Sequence, residues 1–162
     1  MALTPKASRP HMPGYGLLPA DQGSGLKPWS YAVTRLTRTR GYWISTTCPD
    51  GRPHCVPIWG VWLREVFAFS TGALSRKSKN LERDPRVVVG VEPTEDSIVL
   101  EGTAKRVDDI EFIREFKRIY AEKYQMDMDD FAEPVWSVTP TVAFSFASTG
   151  DEFTAGSTRW RF

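Results

Sequence analysis

From residue 42 onward, apolar and polar residues alternate in short runs, the period of two that sends successive side chains to opposite faces of a sheet. Residues 42–48, Tyr-Trp-Ile-Ser-Thr-Thr-Cys, read as a strand and meet the turn signal Pro49-Asp50-Gly51. Residues 54–63 complete a hairpin, in which Pro53 and Pro57, lacking a ladder donor, predict an interruption or an open edge. Such an edge leaves backbone groups near Val56, Pro57 and Ile58 free to meet a ligand. A third strand covers 65–70, with Phe67 and Phe69 on one face. Val87-Val88-Val89-Gly90-Val91 is apolar on both faces, the pattern of a strand covered on both sides. Strands over 97–107, with a bend at Gly102, and over 138–146, with Phe144 and Phe146 on one face, end the series.

Two segments change period. Trp29, Ala32, Val33 and Leu36 have helical spacing, with Pro28 suited to the first turn and Gly41 near the end. After Asp108-Asp109, a stripe of Ile113, Phe116, Tyr120 and Tyr124, joined by Phe112 and Ile119, predicts a long helix packed on the core. Residues 1–27 hold Pro5, Pro10, Pro13 and Pro19 among four glycines, which predicts an irregular tail without its own core. Residues 28–162 then form one domain. Strands at hairpin spacing with few helices make the expected class mainly β, an antiparallel barrel with added helices. Two aromatics at the end, in Thr158-Arg159-Trp160-Arg161-Phe162, mark a contact, either packing within the fold or reaching a site, in this subunit or a partner.

Composition narrows function mainly by exclusion. Among 162 residues, 41% are hydrophobic and the net charge is +1, so no global field recruits nucleic acid or an acidic membrane. Anion binding has to be local. No apolar run reaches membrane-spanning length and no leader pattern opens the chain, so the expected location is the cytoplasm. Cys48 and Cys55 lack zinc spacing and read as small buried hydrophobes; no metal site is expected. Asp127, Asp129 and Asp130 lack the glycine and closing glutamate of a calcium loop and read as solvated. Dinucleotide, P-loop and nucleophile-elbow motifs are absent.

The chemistry concentrates in residues 69–81, Phe-Ser-Thr-Gly-Ala-Leu-Ser-Arg-Lys-Ser-Lys-Asn-Leu. A strand breaks at Gly72, and Ser75 is placed to cap a helix whose first turn carries Arg76, Lys77 and Lys79. Cations there oppose the helix dipole, a conflict an anion resolves. Across 76–86 five basic residues face two acids. Phosphate is the usual guest of such a terminus.

The 42–54 hairpin, the run from Ser75-Arg76-Lys77 through Asn80-Leu81 to Asp84-Pro85-Arg86-Val87, and the closing Thr158 to Phe162 together resemble the flavin and deazaflavin oxidoreductases of the pyridoxamine 5'-phosphate oxidase-like split barrel, most closely the branch using the deazaflavin coenzyme F-420 (8-hydroxy-5-deazaflavin). The resemblance implies a six-stranded split β-barrel, a homodimer, and a cofactor held between subunits. By position it implies that Ser75, Arg76 and Lys77 bind the cofactor phosphate, continued by Lys79 and Asn80. Ser70 and Thr71 would line the cofactor, Val56, Pro57, Ile58 and Trp59 would run along its ring, and Arg161 beside Trp160 would reach the site. Trp59, Trp160 and Phe144 are candidates for an apolar wall. FMN-binding relatives carry cations on the second strand where this chain has His54 and Trp59. That departure favours a hydride-transferring F-420 enzyme acting on an unsaturated or conjugated small molecule. The alternatives are an FMN-dependent oxidase or reductase, and a non-catalytic carrier of the cofactor or of a tetrapyrrole. His54 reads as a hairpin residue with a satisfied ring, and no side chain stands out as a general acid.

Overall fold

Antiparallel pairing dominates the computed structural model, which describes residues 4–19, 22, 24–91 and 96–162. In chain order the elements are β1 (Lys6–Ser8), α1 (Trp29–Arg38), β2 (Tyr42–Thr47), β3 (Pro53–Ile58), β4 (Gly60–Leu63), β5 (Val66–Ser70), α2 (Arg76–Arg83), β6 (Arg86–Val91), β7 (Ser97–Arg106), α3 (Ile110–Tyr124), β8 (Val135–Phe146), α4 (Gly150–Gly156) and β9 (Thr158–Arg161). The nine strands form one sheet ordered β1-β9-β8-β7-β6-β2-β3, with β4 paired to β5 and β5 paired to β8. This path of hydrogen-bonded neighbours does not close. The count exceeds the expected six because β1 and β9 add to it, and because the second hairpin strand divides at Trp59 into β3 and β4. Pro53 and Pro57 lie in β3, an end of the path, where a missing N–H costs no ladder bond.

The branch is made by β8. Its residues from Val135 to Val138 pair with β5, and those from Val142 to Ser145 pair with β9, while β7 runs along the other edge. The register slips between Glu101 and Gly102, the expected bend. A Cβ on Gly102 would come within 2.3 Å of the Thr139 carbonyl oxygen, so only glycine allows this approach.

Pleating sorts the apolar residues into two clusters. Inside the curved sheet Tyr42, Ile44, Phe67, Phe69, Val89, Leu100 and Trp160 pack with Ala32 and Leu36 of α1. On the other face of β5, Ala68 joins Val61, Leu63 and the Phe112, Phe116, Tyr120 and Tyr124 stripe of α3. That helix is capped as its sequence implies, Asp109 accepting from the Glu111 and Phe112 amides.

Several expectations change. Only one face of β6 is covered within the chain: Val87, Val89 and Val91 are buried, whereas Val88 is 36% exposed. Cys48 is buried and Cys55 is exposed. The tail is not wholly irregular, since β1 pairs with β9 in register Lys6 to Arg161. A short helix, α4, links β8 to β9 where no helix is expected.

Candidate functional site

The strand-to-helix passage from β5 to α2 forms as its residues dictate. Ser75 is extended and accepts from the Ser78 amide at 3.2 Å, making the N-cap. Its hydroxyl also meets Thr71 Oγ1 at 3.1 Å. Ser70 Oγ donates to the Pro134 carbonyl at 2.7 Å, which also receives the Thr71 amide. A tie comes from the segment before β8, where Glu133 Oε2 accepts from the Ala73 amide at 3.1 Å. The chain itself thus lays a carboxylate on a backbone N–H of this loop. Nothing local in the sequence signals that contact, because the partners stand sixty residues apart.

The five cations of 76–86 divide by role. Arg83 donates to the Thr47 and Cys48 carbonyls, tying α2 to the β2–β3 hairpin. Arg86 is paired with Asp84 at 2.7 Å, which holds the Asp84 carboxyl down at about 2. The side chains of Arg76, Lys77 and Lys79 make no ion pair or hydrogen bond among the described residues, and the first turn of α2 contains no acid. Arg76 and Lys79 are exposed. Lys77 is half-buried, and that burial pushes its pKa below the ordinary lysine range. An anion beside it would favour its charged form.

Asn80 turns inward. At 1% exposure, its Nδ2 donates to Thr46 Oγ1 at 3.0 Å, and its Oδ1 is buried without a partner among the described residues, as is Ser78 Oγ. His54, opposite Thr46 in the hairpin, also carries a buried Nδ1 without a partner among the described residues, where a satisfied ring is expected.

The remaining sequence candidates are split by the pleat. Val56 and Ile58 face the core, and Pro57 faces out opposite Trp43. Trp59 lies at the break between β3 and β4, 49% exposed, stacked on Tyr124 with centroids 4.8 Å apart and planes at 5°. Tyr124 is fixed in turn, accepting from the Gly60 amide at 2.9 Å and donating to the Arg40 carbonyl at 2.8 Å. Lys123 sits beside it, donating to Tyr42 Oη at 2.7 Å and the Gly60 carbonyl at 3.0 Å. Its burial and the nearby Arg40 charge lower the Lys123 pKa to about 8. Local sequence contained no sign of this support.

Trp160 does not form a wall with Phe144. It is fully buried, its indole N–H donating to the Lys27 carbonyl at 3.1 Å, edge-on to Trp29. Phe144 pairs with Arg159, one residue out of phase with Trp160, and therefore projects from the opposite face. Arg161 is exposed on that outer side. In β8 pairing, Arg161 stands opposite Val142 and Ser70 opposite Val135, so roughly 23 Å of strand separates the two at about 3.3 Å per residue.

Residues 32–146 match the family model described as pyridoxamine 5'-phosphate oxidase. No curated protein matches the chain in sequence. Among solved structures, the chain is similar to a conserved hypothetical protein of Mycobacterium tuberculosis, at 19% identity and TM-score 0.68 over 80% of this chain and 90% of that one. It is also similar to an F-420 reductase, at 21% identity and TM-score 0.56 over 68% and 93%. A haem-binding protein of Mycobacterium smegmatis aligns at 18% identity and TM-score 0.59 over 80% and 62%. At these identities the structures speak for the fold. The extent of the family match, across the hairpin, α2 and every strand of the sheet except β1 and β9, shows that this chain belongs to the pyridoxamine 5'-phosphate oxidase family.

Proposed function

We propose that this protein is an oxidoreductase that uses coenzyme F-420 to transfer hydride to an unsaturated or conjugated small molecule, and that it works as a homodimer with the cofactor between subunits. The observation that carries the reading is the N-terminus of α2, with a capped helix start, three cationic side chains without a partner among the described residues and no acid in the first turn. Such a terminus suits a phosphorylated guest with an extended acidic tail. Arg76, Lys77 and Lys79 would hold the phosphodiester and tail, while Ser75 and Thr71 offer hydroxyls beside them. Trp59, held flat by Tyr124, would border the ring together with Val56, Pro57 and Ile58. Asn80 and Trp160 would support these groups from the interior.

When bound, the deazaflavin supplies the hydride chemistry, and the protein supplies orientation and exclusion of water. The homodimer accounts for two features that one chain leaves open. The outer face of β6 stays partly exposed at Val88, and Arg161 lies far along β8 from the loop before α2, so a second copy would cover the first and bring the second to the site.

FMN is the second reading, motivated by the family itself. Against it, the second hairpin strand presents His54 and Trp59 and no lysine or arginine. Paired fluorescence titrations of the apo-protein separate the two readings. Saturable F-420 binding with weak FMN binding supports the first, and the reverse result replaces it. A chain that binds haem and neither of these cofactors would overturn both.

A further inference from the structure

Residues 9–13 and 17–19, with Arg159 of β9, line a half-open cavity of about 300 Å³. Arg9, at its wall, is 2% exposed. Its guanidinium is ringed by carbonyl groups: Nε donates to Gln22, Nη1 to Ala155 at 2.6 Å and to Thr154, and Nη2 to Ser24 at 2.8 Å. Those bonds occupy four of its five N–H groups with dipoles and bring no negative charge. Arg159 shares the cavity and engages only its Nε, with Ser8 Oγ at 3.2 Å. Its two terminal NH2 groups make no hydrogen bond among the described residues. Ion pairs among the described residues involve neither arginine. Arg161 follows two residues on, and Lys6 stands opposite it in register, so positive charge accumulates here, with no acid among the described residues that line the cavity. The rest of the lining includes Met12, Leu17 and Leu18.

Positive charge removed from water needs a counter-charge or it is costly to hold. A guanidinium with its fork free is shaped for a carboxylate. From this juxtaposition, we infer that the cavity is a binding site for a small organic acid, its carboxylate received by Arg159 beside Arg9 and its apolar body lying against Met12, Leu17 and Leu18. The site includes no residue of α2 and stands whether or not that helix binds a cofactor.

Isothermal titration of the full chain with octanoate, hexanoate and inorganic phosphate tests it. Octanoate binds saturably at one site per chain, hexanoate binds more weakly by about fourfold per missing methylene, and phosphate, lacking an apolar body, is weaker still. Arg159→Gln lowers octanoate affinity at least tenfold, Arg159→Lys recovers part of it, and Leu18→Asp abolishes binding while circular dichroism shows the fold intact. Lys79→Ala leaves octanoate binding unchanged. The inference is overturned if octanoate gives no saturable heat, if binding survives both Arg159→Gln and Leu18→Asp, or if Lys79→Ala removes it.

Discussion

Asn80 of α2 reaches Thr46 of β2, its Nδ2 donating to the threonine hydroxyl at 3.0 Å with both residues buried. Together with Ser78 and Leu81, also buried, this bond fixes which arc of α2 faces the sheet. Arg76 and Lys79 are thereby held outward, with Lys77 at the margin. Asn80→Ala removes the bond and leaves Thr46 without this partner, so unfolding free energy should fall by about 1–3 kcal/mol in urea melts. Lys79→Ala, at an exposed position, should leave the melt within about 0.5 kcal/mol of wild type.

The two lysines should separate binding from stability. If each makes one charge-assisted hydrogen bond to a phosphorylated cofactor, worth about 1.5–3 kcal/mol, then Lys77→Ala and Lys79→Ala each weaken binding by roughly 10- to 100-fold. Fluorescence titration with F-420 reads this directly, and unchanged affinity in both variants rejects the proposed cofactor grip.

Affinity should also depend on pH through Lys77. Its pKa is depressed by burial, so the free protein loses that charge at a lower pH than an ordinary lysine, near 10.4. An anionic guest prefers the protonated form. Cofactor affinity therefore falls as pH rises through the depressed pKa, and in Lys77→Met that part of the fall disappears.

Lys123 carries a separate pH effect, on stability. Its folded pKa of about 8 lies below the unfolded value, so between the two the unfolded chain binds more protons. This residue's contribution to stability accordingly rises with pH from about 8 toward 10 and is lost as pH falls through 8. The difference in urea midpoint between wild type and Lys123→Met should grow in favour of wild type over that interval. A difference that stays flat would mean the bonds to Tyr42 and Gly60 hold the lysine charged throughout.

Gly60, where β4 begins, has no room for a side chain. A Cβ there would lie 2.2 Å from Phe67 Cζ and 2.8 Å from the Ala68 carbonyl oxygen. Gly60→Ala should cost about 1–3 kcal/mol by overpacking, with Trp59 fluorescence shifting as the Tyr124 anchor moves. Gly90→Ala meets nothing within 4 Å and serves as the control, with little change.

Local patterning in the chain was enough to locate α1, the β2–β3 hairpin, the Ser75 cap and the stripe of α3, because alternation, helical spacing and capping act between residues a few positions apart. The cation cluster before Asn80 was legible for the same reason. Contacts between distant residues decided the rest: that Arg83 is tied to the hairpin while Arg76, Lys77 and Lys79 find no side-chain partner among the described residues, that Trp160 is core while Arg161 is exposed, and that Tyr124 supports Trp59. The tail shows the limit most plainly. Its prolines and glycines predict no structure of their own, yet Arg9 is buried among carbonyls, two of them from the tail itself and two, Thr154 and Ala155, from α4 some 145 residues on, which come within reach only in the folded chain. Side-chain chemistry is written locally, but burial and pairing belong to the assembled sheet, and it is these that set which charges remain free to bind.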